Sequence, residues 1–120
     1  MRETSGPCPV SNGGSVQAIP ERPGELLVLR GSLDVSTVAD VRQALHSALD
    51  AGIGDLVVDL ADVLLLDATG LGVLVGAHRR AGRCGRRLVL RRVPARIERL
   101  LVATRLHRVL WVQRAPVAVS

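Results

Sequence analysis

The chain predicts an α/β fold: one domain with a mainly parallel sheet of four to five strands and three to four helices. Three observations lead there. Short apolar runs recur at Leu26–Leu29, Leu56–Leu60 and Leu88–Leu90, each preceded by a glycine within three residues. That is the pattern of strands buried on both faces. Between the runs the apolar period changes to that of a helix, and alternating β and α units imply parallel strands joined by right-handed crossovers. A length of 120 residues suits one domain with one core.

In chain order, residues 1–14 are rich in Pro, Gly, Ser and Thr without periodicity and read as a mobile tail. The domain is expected over 15–113, with a second tail at 114–120. Val16–Ile19 before Pro20 reads as an edge strand, because proline is tolerated there. Leu26–Leu29 is the next strand. Val38, Val41, Leu45, Ala48 and Leu49 form a helical stripe, with Thr37 at the N-cap position and Asp40 as a variant capping box. Gly52 and Gly54 close that helix. Leu56–Leu60 follows as a strand, and Val63–Leu66 fits either its extension or a buried loop. Leu71, Leu74, Val75, His78 and Ala81 mark a second helix closed by Gly82 and Gly85. Leu88–Leu90 is a strand, Pro94 opens a short helix through Ile97, Leu100, Leu101 and Thr104, and Val109–Val112 is the last strand.

Composition excludes several chemistries. All 16 basic residues are arginine, which removes a phosphate-loop lysine and a Schiff-base lysine. Trp111 is the only aromatic residue, so stacking platforms for single-stranded nucleic acid are missing. No apolar run is long enough to span a bilayer, and Met1–Val10 lacks the apolar stretch of a signal peptide. A cytoplasmic setting is expected, and Cys8 and Cys84 argue against a disulfide framework. Cys84, in the Gly82–Gly85 turn, reads as a half-buried small apolar residue, with redox activity as the alternative. No pair of histidines has metal-ligand spacing, so neither a metal nor a cofactor is expected.

Charge is divided along the chain. Residues 1–70 carry 10 acids and 4 arginines, a balance of −6; residues 71–120 carry 12 arginines and one acid, a balance of +11. The arginines of 79–92 read as solvated charges on outer faces, with a basic binding face as the alternative.

Function in parallel sheets gathers at the carboxyl ends of strands. Two connections should meet there, Gly31–Thr37 and Ala61–Gly70, each delivering an acid, Asp34 and Asp67, to a helix start. A carboxylate in that position is commonly a cap rather than a catalyst. The series Gly70, Gly72 and Gly76 misses the dinucleotide fingerprint by one residue, and reads instead as close packing of a helix on the sheet.

The segment Asp67-Ala68-Thr69-Gly70-Leu71-Gly72-Val73-Leu74 resembles the Asp-Ser-Ser/Thr-Gly-Leu-Gly hallmark of the STAS family, the anti-sigma factor antagonists. Val57-Val58-Asp59-Leu60 resembles that family's central strand, and Gly31-Ser32-Leu33-Asp34 its Gly-Glu-Leu-Asp element. The likeness runs from about residue 15 to 113. It implies a protein-binding module rather than an enzyme. Such a module captures an anti-sigma factor, usually a serine-kinase-type ATPase, and so frees a sigma factor for transcription. Phosphorylation of the hydroxyl residue directly after the motif aspartate breaks the complex, and a phosphatase resets it. The resemblance places partner binding on Asp34, Ser36, Asp67, Ala68, Thr69, Gly70 and Gly72.

This chain departs at the acceptor: Ala68 has no hydroxyl. Thr69, one residue on, is the remaining candidate phosphoacceptor, but capping the helix is its favoured role, and one residue turns a helical side chain by about 100°. The expected function is therefore partner capture without the phospho-serine switch. The alternatives are a STAS subunit of a lipid or ABC-type membrane transport assembly and, ranked below it, nucleic-acid binding through the arginine-rich segment.

Overall fold

The computed structural model describes residues 16–113; the expected tails and Cys8 lie outside them. Five strands form one sheet in the order β1 (Val16–Arg22), β2 (Leu26–Leu33), β3 (Asp55–Leu66), β4 (Arg87–Arg91) and β5 (Trp111–Gln113). Only β1 is antiparallel to its neighbour. The helices are α1 (Val38–Asp50), α2 (Ala68–Arg83) and α3 (Ala95–Ala103), with a 3₁₀ turn at Leu106–Arg108 before β5. The element order is the one the periodicity predicts.

Alternation decides where the core lies. Leu27 and Leu29 of β2, Leu56, Val58 and Leu60 of β3, and Leu88 and Leu90 of β4 point to one face. There they join a single buried cluster with Leu45 and Leu49 of α1, Leu71 and Leu74 of α2, and Ile97 and Leu101 of α3. The α2 stripe is shifted from expectation: Val73 and Ala77 are buried, whereas Val75 and His78 are only half-buried.

The opposite face explains the divided charge. Asp55 and Asp59 are four residues apart on β3, as are Arg87 and Arg91 on β4, and the parallel register sets Asp55 beside Arg87 and Asp59 beside Arg91. The pairs close at 2.7 and 3.0 Å. Arg30 and Asp62, register partners between β2 and β3, lie 3.3 Å apart. Arg92 adds a second contact to Asp59 at 2.8 Å. The acids of the first half thus meet the arginines of the second across strands. Arg87 also covers the Trp111 ring, 4.7 Å from its centroid.

The Asp59 side chain is only 1 % exposed. Burial alone would raise its pKa. The Ala61 N–H at 2.9 Å, with the Arg92 and Arg91 guanidinium groups, outweighs burial and holds it below the usual carboxylate range.

Several local expectations change. Val63–Leu66 continues β3, past irregularities in its register with β2 at Val28/Arg30 and Gly31/Ser32. Thr37 does occupy the α1 N-cap, but its hydroxyl makes no cap bond and the Asp40 capping box does not form. The hydroxyl instead donates to the Ser32 carbonyl at 2.8 Å and accepts the Asp34 N–H at 3.0 Å. Pro94 is the cap of α3 rather than part of its first turn. Strand β5 begins only at Trp111, leaving Val109 exposed. Cys84 is exposed, not half-buried, because it caps α2 where the helix leaves the core.

The arginine-rich segment is not one outer face. Arg86 is 7 % exposed, and its guanidinium donates to carbonyls of Ala48, Leu49, Gly24 and Gly54, the longest of the quantified bonds to the first, second and last of these being 3.0 Å. It ties the C-terminal end of α1, whose dipole favours a cation, to the β1–β2 turn. Gly24 and Gly52 touch beneath it: a Cβ on Gly52 would stand 2.7 Å from the Gly24 carbonyl oxygen.

Candidate docking rim

Strands β2 and β3 end together, with Leu33 registered against Leu66. The connections after them are shorter than expected, Asp34–Thr37 and the single residue Asp67, because the strands extend further. The Asp67 N–H donates to the Leu33 carbonyl at 3.3 Å, which places both connections on one rim of the sheet.

Gly70 sets how closely they meet. A Cβ there would lie 2.5 Å from the Leu33 carbonyl oxygen and 2.9 Å from the Leu33 Cβ, so α2 reaches β2 only because residue 70 has no side chain. Gly72 and Gly76 have open space around them and take no part in packing on the sheet, which corrects the small-residue reading for those two positions.

Both acids are engaged locally. Asp34 Oδ1 accepts the Ser36 hydroxyl at 2.6 Å and the Ser36 N–H at 2.9 Å. The Ser36 hydroxyl contact is the largest cause holding the Asp34 carboxyl below its ordinary range. Asp67 is the N-cap of α2, its Oδ1 accepting the Gly70 N–H at 3.0 Å. The helix therefore starts at Ala68, not near Gly70, and Thr69 is not its cap. Ala68, Thr69 and Gly72 are exposed on the outer side of the first turns of α2, beside exposed Ser36. Ala68, Thr69 and the Asp34–Ser36 turn share one edge, while Gly70 faces inward.

Sequence reasoning missed the apolar part of this rim. Val35 is 74 % exposed, Leu64 66 % and Leu65 50 %. Val35 sits between two residues that were singled out for their polarity. Leu64 and Leu65 read as core because they lie in an unbroken apolar run, and only the register irregularity near the end of β3 turns them outward. The Arg96 guanidinium, from the first turn of α3, donates to the Leu64 carbonyl at 2.9 Å beside them.

The rim thus offers exposed aliphatic side chains, two carboxylates held by neighbouring N–H groups, and a helix start with small residues. Among the described residues no group of three or more His, Cys, Asp or Glu is placed to hold a metal ion. No described helix is long and apolar enough to cross a membrane.

Comparison with known proteins gives one answer at three levels. Residues 20–113 match the family model described as "Mlab, STAS domain". The anti-sigma-B factor antagonist of Staphylococcus epidermidis is 36 % identical over 74 residues, which span 62 % of this chain and 68 % of that protein. Two solved structures share the fold. An anti-sigma factor antagonist from Mycobacterium paratuberculosis superposes with a TM-score of 0.70 at 22 % identity, over 85 % of this chain and 88 % of its own. The anti-sigma factor antagonist SpoIIAA in its unphosphorylated form gives 0.66 at 19 % identity, over 85 % and 89 %.

Proposed function

The chain belongs to the STAS domain family, and we propose that it is an anti-sigma factor antagonist whose rim lacks the covalent switch. It captures an anti-sigma factor of the serine-kinase type and so frees a sigma factor, a role that belongs in the cytoplasm. The anti-sigma-B factor antagonist that is 36 % identical supports this role. The rim of Asp34, Ser36, Asp67, Ala68, Thr69 and Gly72, positioned by Gly70, is its docking surface, with Val35, Leu64 and Leu65 supplying apolar contact area.

The observation that carries the switch-free reading is Ala68, which is exposed at the first residue of α2 directly after the capping aspartate. A phosphate there would add about −1.5 to −2 charge beside Asp34 and Asp67. Without a hydroxyl no such charge arrives, so capture is constitutive or is governed by the supply of partner. Thr69 is exposed but points elsewhere on the helix, so a kinase aligned on residue 68 misses it, and a phosphatase has no substrate here.

The experiment starts from the native cell. The full chain is purified with whatever it holds, and the partner is titrated back calorimetrically. Ala68→Glu places an acid in the first turn of α2, where the dipole stabilises it by about 0.3–1 kcal/mol. The fold should therefore persist while affinity falls at least a hundredfold, about 2.7 kcal/mol. Unchanged affinity moves the interface off this rim. With ATP and a kinase-type partner, intact mass should stay constant for the natural chain and rise by one phosphate for Ala68→Ser. A stoichiometric phosphate on Thr69 of the natural chain overturns the switch-free reading.

The missing acceptor also suits a STAS subunit of a membrane transport assembly, and recovery of a transport ATPase in place of an anti-sigma factor decides for it. Nucleic-acid binding loses part of its motive, because Arg80, Arg86, Arg87, Arg91 and Arg92 are engaged within the domain, leaving Arg79 and Arg83 of that segment facing solvent.

A further inference from the structure

A cavity of about 590 Å³ opens where α2, α3 and β5 meet, away from the strand ends that carry the rim. Its size is that of small-molecule sites, which are mostly apolar with a few placed polar groups. Leu101 and Leu110 from the main core and Val112 packed against it form an apolar lining. Val102 and Val109 stand around them with about half of each residue exposed, while Trp111, between Leu110 and Val112, turns its ring to the opposite face of the sheet under Arg87.

The polar side chains are one arginine, two histidines and one acid. Arg108 lines the cavity, and its guanidinium has no hydrogen-bond or ion-pair partner among the described residues, unlike Arg86, Arg87, Arg91 and Arg92. His107 lies beside it, with Nδ1 3.4 Å from the Leu101 carbonyl oxygen. His78 enters from α2, and its Nδ1 is buried without a partner, a condition that ordinarily costs stability. Glu98 is the acid of the lining, and it has an interaction of its own.

We propose that this cavity binds one anionic amphiphile, an alkyl chain bearing a carboxylate or phosphate head. The chain lies on Leu101, Leu110 and Val112, and the head meets the Arg108 guanidinium with His107 beside it. An apolar lining next to an unpaired cation selects this chemistry over a neutral hydrocarbon or a cationic amphiphile. The free monomer is the ligand, because the apolar lining is recessed behind exposed walls.

The test uses the full chain and dodecanoate below its micelle concentration, read by isothermal titration calorimetry. A saturable one-to-one change is expected, with dodecylammonium at least tenfold weaker and Arg108→Gln weakening dodecanoate at least fivefold. Val102→Phe, at an exposed wall position, should narrow the cavity and weaken binding without unfolding the domain. No saturable change overturns the proposal, as does equal affinity for the two head groups or undiminished binding by Arg108→Gln. A response to phosphatidylglycerol vesicles without one to monomeric dodecanoate also overturns it, in favour of a membrane surface. Partner capture at the rim is measured separately, so neither result decides the other.

Discussion

The two ends of the sheet are built on different terms. At the amino ends of the strands, the buried Arg86 guanidinium gathers carbonyls from α1, the α1–β3 connection and the β1–β2 turn, and Gly24 and Gly52 meet in backbone contact. At the carboxyl ends, one backbone hydrogen bond and Gly70 join the two connections. Asp34 and Asp67 satisfy only their own turns, and Val35, Leu64 and Leu65 face solvent. One buried guanidinium gathers four carbonyls from separate segments at the first end; at the second, Arg96 reaches the Leu64 carbonyl and the two acids organise only single turns. The first arrangement holds the fold; the second leaves apolar area available to a partner.

The sharpest way to break this comparison is at Arg86. Arg86→Met keeps a long apolar stem but strands carbonyls at the end of α1. A loss of about 1–3 kcal/mol for each carbonyl left without a partner is expected, read as a lower urea midpoint. Partner affinity per folded molecule should be unchanged, and a matching loss of affinity would mean the two ends are coupled.

Gly70→Ala tests the other end. The added Cβ meets backbone, which a side-chain rotation cannot relieve, so about 2–3 kcal/mol of stability should be lost through overpacking. Here affinity should fall as well, by more than tenfold, because α2 must back away from Leu33. A stable variant with full affinity would show that the rim does not depend on this approach.

Asp59 lies between the ends, on the helix-free face of β3. Its carboxyl is depressed in the folded state, so its contribution is present above the unfolded carboxylate pKa of about 4 and is lost as pH falls through the lower folded value. Asp59→Asn should cost about 2 kcal/mol at pH 7 and flatten the acid limb of the stability profile below about pH 4. An unchanged limb would show that Arg91 and Arg92 do not hold the charged form.

The smallest effect is expected at Asp67. Asp67→Ala removes one capping bond and should lower stability by about 1 kcal/mol, measured by thermal unfolding, while Asp67→Asn should recover most of it. A loss several times larger would mean that this aspartate, like Arg86, bridges segments rather than serving one turn.

Much of this was legible in the residues. The alternation of strands and helices followed from short unbroken apolar runs set between stretches of helical period, but those runs implied burial on both faces and the helices pack on one only, with charged pairs on the other. The edge position of β1 followed from Pro20, and both connections of the rim were placed correctly at the carboxyl ends. Thr69 and Cys84 were misjudged for a common reason. Each sits within a residue or two of a helix end, where one residue of shift decides whether a side chain caps, packs or faces solvent. The expected Thr69 cap gave way to Asp67 because α2 starts two residues earlier than the glycine suggested.

By itself the amino-acid sequence determined the α/β order, the family, and the absence of a hydroxyl at residue 68. All of these depend on local composition and spacing. Only the tertiary structure decided the fate of the charges and of the apolar run at Val63–Leu66. Asp55 and Asp59 meet Arg87 and Arg91 across 32 residues because of strand register. Leu64 and Leu65 face outward because the ladder with β2 slips near its end. Register is a property of two strands together, and neither strand carries it alone.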